Sequence, residues 1–172
     1  MEILDLLIIG AGPIGLNCAL EAKKNNLTYL IVEKGTIVNS LYHYPLYMRF
    51  FSTAEKLEIA EIPFITTAPK PGRQDALEYY QGIARQKDLS INLYEKVLNV
   101  RKNEEIFEVE TSKSRYSAKN VIISTGFYDL PNTMNIPGEN LEKVKHYYTE
   151  PYPFAQQKIV VVGSSNSAVD AA

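Results

Sequence analysis

Residues 3–33 constrain the fold of this chain more than any other stretch. Ile3 to Ile9 is a run of Leu and Ile broken only by Asp5, the pattern of a strand buried in a parallel sheet. Gly10-Ala11-Gly12-Pro13-Ile14-Gly15 follows at once, then the amphipathic segment Leu16 to Lys24, a second apolar run from Leu27 to Val32, and a terminal acid, Glu33. Strand, glycine turn, helix, strand and acid in this order form the dinucleotide-binding fingerprint in the context it requires. Gly10 permits the tight turn, Gly12 lets backbone approach a pyrophosphate, and Gly15 brings helix and strand together. Glu33 is placed to accept from a ribose hydroxyl. The free N–H groups and dipole of the helix N-terminus suit the phosphates.

The rest of the chain is consistent with an α/β protein. At 172 residues it holds one domain and part of a second. A net charge of −2 gives no general attraction to nucleic acid or to an anionic membrane, and no apolar run is long enough to span one. Met1 runs straight into the first strand with no room for a leader, so a cytoplasmic protein is expected. Cys18 is the only cysteine, which removes intrachain disulfides and two-cysteine redox motifs. Two distant histidines offer no metal cluster.

Lys34 to Ser52 reads as a long irregular loop, rich in Tyr and Phe, and Thr53 to Ile62 as a short helix capped by Thr53. Arg73 to Lys87 has helical spacing through Ala76, Leu77, Tyr80, Ile83 and Ala84, and Ile91 to Tyr94 is a third short strand. From Val97 the period drops to two. Strands at Val97–Val100, Ile106–Glu110 and Arg115–Ala118, with turns at Lys102-Asn103 and Ser112-Lys113, make an antiparallel meander. A buried strand at Val121–Ser124 ends in Thr125-Gly126. Pro131 to Pro153 is an extended connection, and Ile159–Val162 a further strand. It leads into a second, weaker fingerprint, Gly163-Ser164-Ser165-Asn166-Ser167-Ala168, at the start of a helix. The expected division is therefore 1–130, a connection at 131–158, and the beginning of a second dinucleotide domain at 159–172.

Two such motifs separated by a meander resemble the two-dinucleotide-binding-domain flavoproteins, in which the first motif holds FAD and the second NAD(P)H. Ser124-Thr125-Gly126 looks like that superfamily's second FAD-contacting turn. Ser165 stands where the second motif has a glycine, and Ala168 replaces its last one. The resemblance narrows to the thioredoxin-reductase-like branch. The positions of that enzyme's CxxC fall on His146 and Thr149, so dithiol exchange by that route is absent. Asn39-Ser40-Leu41-Tyr42, the stretch Phe50-Phe51-Ser52-Thr53-Ala54-Glu55-Lys56-Leu57-Glu58-Ile59, Lys70-Pro71-Gly72-Arg73, Tyr79-Tyr80 and His146-Tyr147-Tyr148 are similar to the bacillithiol-disulfide reductase family. That family commonly carries Cys where this chain has Ile14.

The resemblance implies a Rossmann-like FAD domain with a parallel sheet and a meander, the start of a Rossmann-like NAD(P) domain, and an NAD(P)H oxidoreductase acting on a low-molecular-weight disulfide or related acceptor. It also implies a homodimer. FAD contacts are expected from Gly10, Gly12, Pro13, Ile14, Gly15, Glu33, Lys34, Asn39, Ser40, Val97 (through its backbone), Thr125 and Gly126. NAD(P)H contacts are expected from Gly163, Ser164, Ser165, Asn166, Ser167 and Ala168. His146 is the one candidate catalytic side chain, able to move a proton near neutrality or simply to anchor the connection. His43 could line the mouth of the site, Arg49 and Arg73 could grip an anion, and Cys18 faces the core one turn along the first helix. Two rivals stay open. A flavin monooxygenase would use the same two motifs, but its FxGxxxHxxx(Y/F) signature is echoed only by His146. A non-catalytic FAD-binding or redox-sensing protein would suit Ile14, Ser165 and the missing dithiol.

Overall fold

The sheet order β3-β2-β1-β6-β5-β4 puts the first strand in the middle and the last strand beside it. In the computed structural model, residues 3–172 are described. The expectation about a leader rests on Met1 and Glu2, outside that range. β1 (Ile3–Ile9) pairs in parallel with β2 (Tyr29–Val32) on one side and β6 (Arg115–Ile123) on the other, and β2 pairs in parallel with β3 (Ile91–Asn92). β4 (Val97–Asn103) and β5 (Ile106–Thr111) continue outward from β6 in antiparallel register.

Both faces of β1 are covered, which is why its sequence is nearly all apolar. On one face Leu6 and Ile8 meet helix α1 (Pro13–Lys24) through Leu16 and Ala19, and α3 (Arg73–Gln86) through Ala76, Tyr80 and Ile83. On the other face Leu7, Ile9 and Val32 pack with Val109, Ala118 and Val100 of the meander. The meander therefore folds back over the parallel part instead of extending it as a flat ribbon.

Several expected elements shift. α1 starts at Pro13, before Leu16, because proline at the first helical position has its φ already set and no N–H to lose. The separate strands expected at 115–118 and 121–124 are one continuous strand, β6. It pairs with β5 over Arg115–Ala118 and with β1 over Ser117–Ile123, so Ser117 and Ala118 have a neighbour on both sides. The first meander turn falls at Glu104-Glu105, two residues later than expected, since Asn103 still pairs with Ile106. In place of a helix over Thr53–Ile62 there is one 3-10 turn, Ala54–Leu57. Thr53 precedes it without a side-chain cap bond, and a tight reversal follows in which Ala60 and Glu61 both have positive φ and Ile59 bridges Ile62. The loop after Glu33 contains a single helical turn, α2 (Asn39–Tyr42), entered through Val38 at φ 51°.

Beyond β6 the chain is mostly exposed. Ile159–Val162, expected as a strand, forms no regular element and pairs with nothing among the described residues, and Val160 is 88% exposed. A β ladder needs a neighbouring strand to take its N–H and C=O groups, and none is beside it. The helix expected to open after Gly163 does form, as α4 (Asn166–Ala171).

Candidate dinucleotide-binding site

The carboxyl ends of β1, β2 and β6 converge on the glycine turn, the crevice where open α/β sheets take ligands. The three glycines divide the work as the sequence predicts. A Cβ on Gly10, at φ +107°, would lie 2.7 Å from the carbonyl oxygen of Ser124. One on Gly15 would lie 1.9 Å from the carbonyl oxygen of Gly10. Both positions are closed by backbone. Gly12 is the opposite case: a Cβ there would meet nothing within 4 Å, and the same holds at Gly126, φ +67°. The turn is locked from behind and open in front.

The open side carries donors. Gly12 is the N-cap of α1 and offers no side-chain cap, Pro13 has no N–H, and no acid stands in the first turn. The first N–H groups of the helix have no intrahelical partner, an arrangement that favours negative charge in front of them. Ile14 is 67% exposed there, an apolar side chain at the lip of the cradle.

Glu33 is only 6% exposed, and both its oxygens are engaged. Oε2 accepts the N–H of Ala11 at 2.7 Å and Oε1 that of Gly35 at 2.8 Å. The acid expected to meet a ribose therefore first ties the glycine turn to the loop after β2, and keeps one further lone pair on each oxygen for a hydroxyl. Val38 donates its N–H to the carbonyl of Ala11 at 3.0 Å, which seats α2, with Asn39 and Ser40, beside the turn. Asn39 Oδ1 accepts from Thr36 N at 3.3 Å. Lys34 pairs with Asp129.

Ser124 does more than the strand-ending motif suggested. Its hydroxyl reaches the carbonyl of Ile9 at 2.9 Å and that of Gly10 at 3.0 Å, so β6 is stapled to the turn just before Thr125 and Gly126. Val97 lies at a register shift where β4 begins, half-buried against the second core face. Its neighbour Glu95, 3% exposed, accepts from Thr111 Oγ1 at 2.5 Å and from the Tyr116 hydroxyl at 2.9 Å, and its N–H donates to the Glu33 carbonyl at 2.8 Å. Ser124, Val38 and Asp129 are the residues sequence reasoning missed. Only Ser124, inside a quoted motif, gave any signal.

The first-motif residues and Thr125-Gly126 thus come together. The second set does not join them. Gly163 to Ser167 are exposed, and Ser165 caps α4 only through its carbonyl. His146 is away from the turn: its Nε2 lies 3.1 Å from Glu139 Oε1. The Glu139 carboxylate also takes the N–H groups of Met134 and Asn135, and these bonds together with His146 hold it below the usual carboxylate range. His146 anchors the connection through this carboxylate. Arg73 is committed as well, donating to the carbonyls of Leu41 at 3.2 Å and Tyr42 at 2.5 Å, and Arg49 donates to that of Lys70 at 3.2 Å. Cys18 packs against the core on α1, as expected.

Known proteins match this arrangement. The profile of the pyridine nucleotide-disulphide oxidoreductases covers residues 7–172. The chain belongs to that family. Bacilliredoxin reductase Bdr of Bacillus subtilis is 46% identical over 167 residues, 96% of this chain and 52% of its own length. The solved structure of bacillithiol disulfide reductase Bdr from Bacillus cereus is 45% identical and superposes with a TM-score of 0.96, over 99% of this chain and 54% of that one. A flavin monooxygenase from Stenotrophomonas maltophilia superposes with a TM-score of 0.88 at 24% identity, a likeness of fold alone. The chain spans about half the length of these relatives.

Proposed function

We propose that this chain is the flavin-binding part of an NAD(P)H-dependent oxidoreductase that reduces a disulfide. The observation that carries this reading is the open cradle at Gly12 and Gly126, set among locked glycines at a bare helix N-terminus, in a chain 46% identical to a bacilliredoxin reductase. Those features fit the pyrophosphate of FAD. The helix N–H groups would receive the phosphates, Glu33 would offer its remaining lone pairs to the ribose, and Thr125 and Gly126 would border the rest of the cofactor. Asn39, Ser40 and Lys34 would close the adenosine side, with Val97 offering backbone to the adenine. Bound flavin supplies two-electron chemistry between a nicotinamide and an acceptor.

In this reading residues 1–130 belong to the flavin domain, 131–158 connect, and 159–172 begin the nicotinamide domain. Gly163 to Ala168 are its nucleotide contacts once a sheet forms around them. The overall reaction takes a hydride from NAD(P)H and one proton from solvent, breaks one S–S bond, and releases NAD(P)+ and two thiols. The names of the relatives point to two kinds of disulfide, one on a bacilliredoxin and one in bacillithiol disulfide; reduction of a small-molecule disulfide in the cytoplasm is the proposal here, by a homodimer. No helix among the described residues is long and apolar enough to cross a membrane.

Anaerobic titration of the flavin-loaded full-length protein with NADPH, then NADH, tests it. The flavin absorbance should bleach, and return on addition of a low-molecular-weight disulfide with two thiols formed per NAD(P)H consumed. Flavin that stays yellow under excess reductant would leave only a binding or sensing role. Rapid re-oxidation by oxygen with accumulation of a hydroperoxide spectrum would favour a monooxygenase.

A further inference from the structure

The six residues after β6, Ser124 to Asp129, cross the carboxyl edge of the sheet. Ser124 is stapled to the end of β1, and the chain then runs past β1 towards β2. There the Tyr128 hydroxyl donates to the His43 carbonyl at 2.9 Å, its ring packs on Tyr44 with centroids 4.7 Å apart, and Asp129 pairs with Lys34. The segment is pinned at both ends, while Gly126 and Phe127 between the pins are exposed, Phe127 by 91%. It forms a strap beside the open face of the glycine turn, and among the described residues the Lys34–Asp129 pair is its only ionic fastening.

We infer that Asp129 is a positioning residue for the bound dinucleotide: by holding Lys34 it keeps the strap closed beside the cradle and slows release of the cofactor. The inference rests on the proposal that the cradle takes FAD, and deepens it by naming what retains the cofactor. Lys34 and Asp129 have side chains 42% and 38% exposed, so their attraction is modest and screened by salt. The effect belongs in the release rate, since the pair must part for the strap to lift.

The test follows FAD fluorescence on dilution of the flavin-loaded full-length protein, at low and high ionic strength. Wild type should release FAD slowly, and faster as salt rises. Asp129→Asn should release it about two- to fivefold faster at low salt and show a weaker response to salt than wild type, the remainder being screening of the phosphates at the helix N-terminus. Asp129→Glu should restore the slow, salt-sensitive release, a rescue that loss of packing alone would not give. Glu110→Gln, which removes the Arg115 ion pair of the meander, should behave as wild type. An Asp129→Asn protein with wild-type release, or a faster one whose salt response is as large as that of wild type or which Asp129→Glu does not correct, overturns the inference. Wild-type protein that retains no FAD at all overturns the cofactor proposal beneath it instead.

Discussion

Gly12 and Gly15 share one turn of backbone and answer to opposite demands. At Gly15 an added methyl would press on the Gly10 carbonyl from 1.9 Å, with no flexible side chain to give way. Gly15→Ala should therefore lower stability by about 1–3 kcal/mol or prevent folding, as a shifted urea midpoint would record. At Gly12 the backbone sits at φ −74°, which any residue adopts, and the space is empty. Gly12→Ala should keep its stability to within about 0.5 kcal/mol and yet raise the Kd for FAD at least about tenfold, measured by fluorescence quenching. Equal losses of stability in the two variants would mean that the open face is not a ligand face. Val38 shows what residue-level reading could not supply. A β-branched side chain in the left-handed region costs about 1–3 kcal/mol, and no composition or spacing announces it. Its backbone goes there because the Ala11 carbonyl waits for its N–H and its side chain is buried, both of which are tertiary facts.

At the scale of elements, β1 was legible from its nearly unbroken apolar run, and α1, α3 and the meander because each repeats its apolar residues at its own period. What the sequence hid were features without a period. β6 keeps β1 beside it from Ser117 to Ile123 but loses β5 after Ala118, and the polar Lys119-Asn120 that follows makes it read as two strands. Ile159–Val162 has the composition of a strand and lacks only a neighbour. In the site, the first motif was legible down to single glycines, whereas Ser124, Val38 and Asp129 act through contacts between segments far apart in sequence. The start of β1 carries such a contact that titrates. Asp5 accepts from Lys119 Nζ at 2.7 Å and from Thr28 N and Oγ1 at 3.0 and 2.8 Å. The Lys119 ammonium first, then the Thr28 backbone bond, holds its carboxyl far below the ordinary 3.8. With the folded pKa depressed, this contribution is present above pH 4 and lost as pH falls below it. Thermal unfolding from pH 7 to pH 2 should show a smaller acid loss in Asp5→Asn than in wild type, and the variant should be the less stable at pH 7. Parallel acid limbs would mean that the clip contributes nothing.

For the molecule as a whole, the two nucleotide motifs are in different states of completion. The first is seated on a sheet with both faces covered, and the second projects on exposed chain. A ligand stabilises only a site that the folded state already presents. FAD at a hundredfold excess over its Kd should thus stabilise the 172-residue chain by about 2.7 kcal/mol, roughly 5–10 °C in Tm. NADPH at the same concentration, without flavin, should leave Tm unchanged in a differential scanning experiment. A shift from NADPH alone would mean that the second motif is assembled in this chain. The position of β6 has a further consequence during synthesis on the ribosome. The strand that joins both halves of the sheet is the last of the six to be translated, and its partner Ile3 emerged more than a hundred residues earlier. Until Ile123 clears the exit tunnel, the nascent polypeptide carries one flank of β1 and the β6-facing edge of β5 with backbone groups unmatched, a window in which these edges are open to pairing with other chains.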